Sequence, residues 1–548
     1  MTDGPPEGAR LPRQPEQSRV EPEPEKEAAS AGSSAHWVAA GILLSRISGV
    51  VREIFIARFF GTNVAADAWA AAARMPNVLQ VLLGEGTLSA SFIPEYSKLL
   101  EEGRENEAGR LAGAIFALLL AVAGGLALIG ALLAPVLVSV FTPGFDGLQR
   151  ELTIQLVRIL FPMAGVLVLS AWSLGVLNSH RRFFIPYVAP VIWNASMIAA
   201  LLIWGPGTES SDLVVIFGWA ALLGGGLQFL VQLPWVLRLE RSLKLRWQDR
   251  TMPAVVTTVK NAGPAILGRG VVQVSSYIDM FLASFLVAGA VGALRYGLTL
   301  YMLPVALFGM SVAASELPEL SRRRDRAVEI LQQRVRGGLR QIAFFVVPTA
   351  VGYFVIGRVI IAALFERGEF EPSDTIWTHF ILMGYTVGLI ATTGTRLFSS
   401  AYFALQDTKT PAKYAAVRVG LAAVAGGSLM LLGQNVVVAG KPLSPAGLAL
   451  GSGLAAWVEW YLLRRELRSR IGPTLPPIRV LGKMVGAALG AAAVGRGLMT
   501  VLPDWNAVFQ ALVILLVYAA VYFAVAAALG LPEVGRSLAR VRRFLGRG

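Results

Sequence analysis

Long apolar runs recur from residue 37 to residue 531, and several carry charged side chains in their interior. A membrane-spanning helix needs about 20 apolar residues, because the hydrocarbon core is about 30 Å thick and each helical residue rises about 1.5 Å. Fourteen segments meet that length once embedded charges are admitted: 37–60, 64–97, 110–141, 151–177, 184–205, 212–237, 255–288, 290–317, 337–365, 375–405, 411–433, 441–467, 477–502 and 506–531. The fold class this predicts is an all-α polytopic membrane protein. Pro76, Pro94, Pro304 and Pro318 should break or bend the second and eighth segments.

The composition agrees: 55% of the 548 residues are hydrophobic and 15% charged, against about 25% charged in soluble domains. Cysteine is absent, which excludes a disulfide framework, a thiol catalyst and a Cys-ligated metal. His36, His180 and His379 lie far apart without metal-binding spacing and read as packing residues. No metal or cofactor is expected, and no phosphate-binding glycine loop follows a strand. The net charge of +14 raises nucleic acid as a partner. Its distribution argues against that: Lys and Arg cluster in short segments between apolar runs, as in a polytopic protein with basic loops inside the cell, not on one contiguous face.

Those loops orient the chain. Arg181–Arg182, the 238–250 run, 322–340, 409–413, 464–470 and the 536–547 tail all fall on one side when the N-terminus is placed in the cytoplasm. The opposite side receives GTN, TPGFDG, GPGTESSD, GEFEPSD, GQNVVVAGK and LPDWN, which hold few cations. Both termini are therefore expected to be cytoplasmic. Residues 1–35 are rich in Pro, Glu and Ser without an apolar core and read as a disordered cytoplasmic tail rather than a signal peptide.

An internal repeat organises the rest. Val140–Phe145 answers Leu364–Phe370, SASFIPEYSK answers AASELPELSR, and LNSHRRFFIP answers LQDTKTP, all at an offset of about 224 residues. Six spans per unit give both copies the same topology, so a pseudo-two-fold along the membrane normal and a site between the halves are expected. The units are an N-terminal lobe at 36–240 and a C-terminal lobe at 250–470, followed by two extra helices within 475–532 and a basic cytoplasmic tail at 533–548.

The stretch Ser45–Lys98 concentrates charge where lipid-facing positions should have none: Arg46, Arg52, Glu53, Arg58, Asp67, Arg74 and Glu85. A charge near a bilayer centre costs roughly 2.5–3.5 kcal/mol on insertion scales. These groups must face a wet cavity, pair with one another, or sit near segment ends. Arg46 lies about ten residues into its helix, too deep to snorkel easily. Arg46 and Arg52 point about 120° apart at roughly 100° per residue, so both can border one broad cavity. Guanidinium donates two parallel hydrogen bonds and stays charged, which suits phosphate. An anion-holding membrane cavity is the reading these residues support. Arg58 borders a loop and is a candidate partner for Asp67 or Glu53.

The same stretch, with its SRISGVVRE, ARFFG, ADAW, RMPN and GEGTLSASFIPEYS, resembles the opening of the MurJ/MviN family of lipid II flippases in the MOP transporter superfamily. LNSHRRFFIPYVAPVIWNASMI from Leu177 and ALQDTKTPAKYA from Ala404 extend the resemblance from about residue 37 to the C-terminus. It implies a non-enzymatic transporter of the cell inner membrane that moves a polyprenyl-diphosphate-linked sugar from inner to outer leaflet during peptidoglycan assembly. It also implies the lipid tail in a groove made by the last two spans and the cell-wall synthesis machinery as partner. Arg46, Arg52 and Asp67 match charged positions important to flipping in that family. The chain departs from it at Gln80, Val81 and Thr299, where members often carry cations; Arg295, one turn before Thr299, and Arg269 are candidate replacements.

Substrate contact is thus expected at Arg46, Arg52, Asp67, Arg295 and Arg269, with gating or ion coupling at Arg58, Glu85, Asp279 and Arg396. Asp279, deep in the seventh span, can bind Na⁺ or a proton and couple transport to an ion gradient or the membrane potential. A salt bridge to Arg418 or Arg269 is the structural alternative. Rival functions are a flippase for another polyprenyl-linked oligosaccharide, a cation-coupled exporter of the same superfamily, which should prefer an acidic cavity, and a membrane scaffold without transport.

Overall fold

The computed structural model describes residues 24–240, 243–309, 327–503 and 505–544. The first half comprises α1 (Pro24–Phe60), α2 (Val64–Arg74), α3 (Asn77–Leu83), α4 (Glu85–Glu101), α5 (Glu105–Leu132), α6 (Ala134–Phe141), α7 (Gly147–Ser179), α8 (Phe184–Trp204) and α9 (Ser210–Leu239). The second half comprises α10 (Pro253–Ala283), α11 (Ala290–Pro304), α12 (Ala327–Phe365), α13 (Pro372–Val387), α14 (Leu389–Ala404), α15 (Lys409–Gly433) and α16 (Ser444–Ile471). Then come α17 (Ile478–Val501), α18 (Ala507–Ala528) and α19 (Pro532–Phe544). A hairpin of β1 (Val437–Val438) and β2 (Lys441–Pro442) supplies a small sheet between α15 and α16, pairing Val437 with Pro442.

Among the described residues ten helices are long and apolar enough to cross a membrane, eleven if α13 and α14, bent by 40°, form one span. The remaining three expected segments are helical but charged or broken. α1 carries Arg46, Arg52, Glu53 and Arg58, and α10 carries Lys260, Arg269 and Asp279. The segment 64–97 is cut at Pro76 and Gly84 into α2, α3 and α4. Pro94, expected to break or bend its segment, lies inside a continuous α4. Pro304 ends α11, where a π-helical turn follows at Val305–Gly309. Pro318 and the repeat copy AASELPELSR lie outside the described residues. The expected tail is also shorter, since α1 begins at Pro24.

The repeat is visible in the backbone. A separation of 225 residues relates Ser179 at the end of α7 to Ala404 at the end of α14, and Phe184 to Lys409 at the starts of α8 and α15. It also relates Arg181 to Gln406, which have φ of 58° and 59°. A left-handed non-glycine residue is uncommon, so its recurrence at the same step marks the two turns as copies. α2 and α11, equivalent in the repeat, pack against each other between the halves. α7 is the central helix of the first half, burying Leu156, Leu160, Val168 and Trp172. α17 and α18 pack outside the repeat on α12, where Tyr518 and Tyr522 donate to the carbonyls of Pro348 (2.6 Å) and Phe344 (2.7 Å).

Candidate functional site

A cavity of about 610 Å³ lies between the first half and α10 of the second, bordered by Gln80 and Glu85 from α3 and α4, Ser170 from α7, Trp193 from α8, Gln232 from α9, and Arg269 from α10. Pro186 and Gln232 fall within two turns of the ends of α8 and α9 that carry the basic loops, so the cavity sits toward that basic end. The break at Gly84 gives it shape: the Gly84 N–H donates to the Gln80 carbonyl at 2.9 Å, and α4 restarts after this one extended residue. Gln228 and Gln232 both donate to the Ser170 hydroxyl, at 3.0 and 2.6 Å, which keeps these polar groups together in an apolar helix bundle. Arg269 lies across Gly86, where a Cβ would fall 2.0 Å from the guanidinium carbon. A side chain at that position would push the flexible guanidinium aside. The departures Gln80 and Val81 line the cavity and make this wall neutral.

The charged cluster stands beside the cavity, joining the halves. Glu53, 5% exposed, accepts from Arg52 Nη2 at 2.8 Å and from Arg295 Nη2 and Nε at 2.8 and 3.0 Å. Arg52 Nη1 donates to Asn194 Oδ1 at 2.9 Å, and Asn194 Nδ2 donates to Ser48 Oγ at 2.8 Å. The Arg52 guanidinium lies 5.2 Å from the Trp193 ring centroid and that of Arg295 5.8 Å from Trp69. Trp193 thus touches both the cavity and the Arg52 guanidinium. Of the expected contact residues the structure brings Arg52 and Arg295 together on one carboxylate, and the Thr299 hydroxyl donates to the Arg295 carbonyl of its own helix. Arg46 is exposed and makes no hydrogen bond or ion pair among the described residues. Seven residues from Glu53, it lies on nearly the same face of α1, about 10 Å toward the basic end.

Asp67 stands elsewhere than expected. Fully buried, it accepts from the backbone N–H of Gly289 (2.6 Å) and Gly292 (2.7 Å) and from Gln149 Nε2 (2.9 Å). It thus caps the first turn of α11 across the interface, where a carboxylate meets the positive end of the helix dipole. Here Asp67 is a strut between the halves and makes no cavity contact. Arg58 pairs with neither Asp67 nor Glu53; its guanidinium lies over Phe59 and its carbonyl accepts from the Glu369 N–H at 2.9 Å. Nearby, Thr62 donates to Asp374 at 2.6 Å and Lys441 donates to Thr62 at 2.9 Å while pairing with Asp374. The cation-poor end is closed by these contacts.

Asp279 forms no salt bridge with Arg418 or Arg269: Arg418 pairs with Glu459 at 3.2 Å and Arg269 covers Gly86. It borders a small cavity of about 20 Å³ with Arg74, Tyr385 and Ser452. Glu85 is exposed on the cavity wall, and Arg396 is exposed on α14. Sequence reasoning missed Glu53 as the bridging group, although its place beside Arg52 was visible. It also missed Trp193 and Asn194, although both fall in the motif beginning at Leu177.

Comparison with known proteins identifies this architecture. The sequence profile described as "Lipid II flippase MurJ" matches residues 56–523. The "Probable lipid II flippase MurJ" of Haemophilus influenzae is 32% identical over 445 residues, 78% of this chain and 84% of that protein. The "Lipid II flippase MurJ" of Burkholderia cenocepacia is 30% identical over 455 residues, 82% and 86% of the two chains. A solved structure, "Lipid II flippase MurJ, inward closed conformation", shares the fold at a TM-score of 0.72 and 24% identity, covering 90% of this chain and 98% of that one. An inward-facing MATE family multidrug transporter of the MOP superfamily shares it at 0.62 and 18% identity, over 78% of this chain and 95% of its own. Its embedded charges, internal repeat and bridging Glu53 accordingly sit in a transporter: the chain belongs to the lipid II flippase MurJ family.

Proposed function

We propose that this chain moves lipid II, a polyprenyl-diphosphate-linked sugar, from the inner to the outer leaflet of the cytoplasmic membrane and delivers it to the cell-wall synthesis machinery. The observation that carries the reading is the Arg52–Glu53–Arg295 bridge, which joins the halves beside a polar cavity. Its charges sum to one positive, and Arg46 adds a second. A diphosphate diester carries two negative charges, so the four groups match it. A diphosphate entering from the cavity competes with Glu53 for both guanidiniums. That competition weakens the contact holding the cation-poor end shut and tips the rocking equilibrium toward the other side.

The basic loops orient the cavity toward the cytoplasm, with both termini inside. The sugars would lie against Ser170, Gln228 and Gln232, whose amides and hydroxyl suit sugar hydroxyls. The tail would follow the apolar groove of about 280 Å³ between α12 and α18, bordered by Phe345, Gly352, Tyr518 and Phe523. Ion coupling enters through Asp279, where a proton suits the pocket of about 20 Å³ better than Na⁺, because the few side-chain oxygens that line it, from Asp279, Tyr385 and Ser452, fall short of a metal cation's ligand shell. The test is complementation of a flippase-depleted cell, with identification of the lipid trapped on the inner leaflet. Rescue by the wild-type chain and its loss with Arg46→Ala plus Arg52→Ala, at equal membrane protein levels, is the expected result. Accumulation of a different polyprenyl-linked oligosaccharide would assign the chain to that lipid instead.

A further inference from the structure

The 225-residue repeat carries the cavity lining of the first half onto the second. Leu167, Ser170, Ala171 and Trp193 border the cavity. One repeat later stand Thr392, Thr395, Arg396 and Arg418. Two arginines thus occupy places held in the first half by alanine and tryptophan. Their depth agrees: Arg396 is eight residues from the end of α14 and Arg418 nine from the start of α15, about 12 and 14 Å from the basic end. Tyr301 lies within electrostatic range of both guanidiniums and donates its hydroxyl to Thr392 Oγ1 at 2.8 Å.

The two arginines are not equally engaged. Arg418 Nη1 bonds to Glu459 Oε2 at 3.2 Å, and Glu459 is buried. Arg396 is exposed, and its guanidinium has no partner among the described residues. Thr395 Oγ1, one residue away, is buried and also lacks a partner. A guanidinium two turns deep facing lipid would be costly, whereas the repeat puts Arg396 on the face that borders a polar cavity in the first half. The group of Arg396, Arg418 and Glu459 carries one net positive charge, which suits a single monovalent anion better than a diphosphate.

We propose that Arg396 and Arg418 form a second anion subsite, in the C-terminal half, that binds a free carboxylate of the peptide on the lipid headgroup. This rests on the flippase reading. It gives the substrate two holds, the diphosphate at the junction of the halves on α1 and α11 and the peptide within the second half on α14 and α15. Binding energy from the peptide then bears on the rocking of one half against the other.

The experiment uses the full chain purified in nanodiscs and two lipids: lipid II with its peptide, and the same polyprenyl-diphosphate disaccharide without it. For Arg396→Gln we expect affinity for the peptide-bearing lipid to fall about tenfold or more, as for loss of one charge-assisted hydrogen bond, with affinity for the peptide-free lipid unchanged. The unchanged arm also reports that the variant is folded. A soluble peptide ending in a free carboxylate should compete with the peptide-bearing lipid on the wild-type chain, and its C-terminal amide should not; competition by acetate alone at the same concentration would mark a nonspecific anion site and overturn the proposal. Equal weakening toward both lipids, or toward neither, would also overturn it while leaving the flippase reading in place. A wild-type chain that binds neither lipid would remove that reading and the subsite with it.

Discussion

At the cation-poor end the two halves meet through backbone and buried charge, whereas toward the basic end they meet around the cavity, through α10 packed on α3 and α4. At the first, Glu53 holds Arg295, Asp67 caps α11, and Arg58 offers its carbonyl to Glu369. There the chains come so near that a Cβ on Gly289 would fall 1.9 Å from the Thr62 carbonyl oxygen. Toward the second, Arg269 lies over Gly86, and ion pairs such as Arg104–Glu102 and Arg470–Asp407 form within one half near the surface. Short buried contacts across an interface fix one arrangement, and exposed pairs inside a half fix none. The difference teaches where the energy of this closed state resides, and therefore where substitutions should move it.

The largest effect should come from Glu53→Gln. It leaves Arg52 and Arg295 facing each other without a carboxylate, and breaking a buried ion pair in this way costs about 3–5 kcal/mol. Thermal unfolding in detergent should show a lower Tm, and complementation should fail. Adding Arg295→Gln removes the stranded charge and should recover much of the Tm without recovering transport. A Tm unchanged by Glu53→Gln would mean that the cation-poor end is held by something else.

Next comes Asp67→Asn. The amide has one acceptor oxygen where the carboxylate has two, so at least one of the bonds from Gly289, Gly292 and Gln149 is lost. The expected cost to the closed state is about 1–3 kcal/mol, roughly a 5- to 150-fold shift between states. Spin labels at Asp146 and Glu369, both exposed in loops of that end, should report a new population at longer distance. A distance distribution identical to wild type would show that Asp67 does not hold the ends together.

Those two residues also show what a sequence can and cannot disclose. The helical segments, the break at Pro76 and the repeat were legible because each depends on local pattern: apolar length, proline chemistry, and recurrence of a motif. Arg52 and Arg295 were legible as charges that cannot face lipid. What was hidden is pairing at long range. Asp67 reads as one more cavity charge until α11 arrives, 222 residues later, to place the Gly289 N–H against it. Asp279 has Arg269 and Arg418 as candidate partners within its half, and nothing in their spacing says that Arg418 is taken by Glu459. Arg58 matters through its carbonyl, a group every residue has, so no side-chain pattern could have singled it out.

The smallest effect should come from the basic end, at Asp407. Its carboxylate accepts the N–H groups of Lys409 and Thr410, both at 3.0 Å, the Thr410 hydroxyl at 2.7 Å and Arg470 Nη1 at 2.8 Å. The Thr410 backbone and hydroxyl, with Arg470, hold it down at about 2, below the roughly 3.9 of an unfolded aspartate. A group depressed on folding stabilises the fold above its unfolded value and loses that contribution as the pH falls through its folded value. Between pH 5 and 8 this turn should therefore be insensitive to pH, with loss only below about pH 4. All its partners belong to the C-terminal half, so Asp407→Asn should leave the distance between labels at Asp146 and Glu369 where it was. A shift as large as that of Asp67→Asn would break the comparison, because a surface turn inside one half would then be setting the closure at the opposite end.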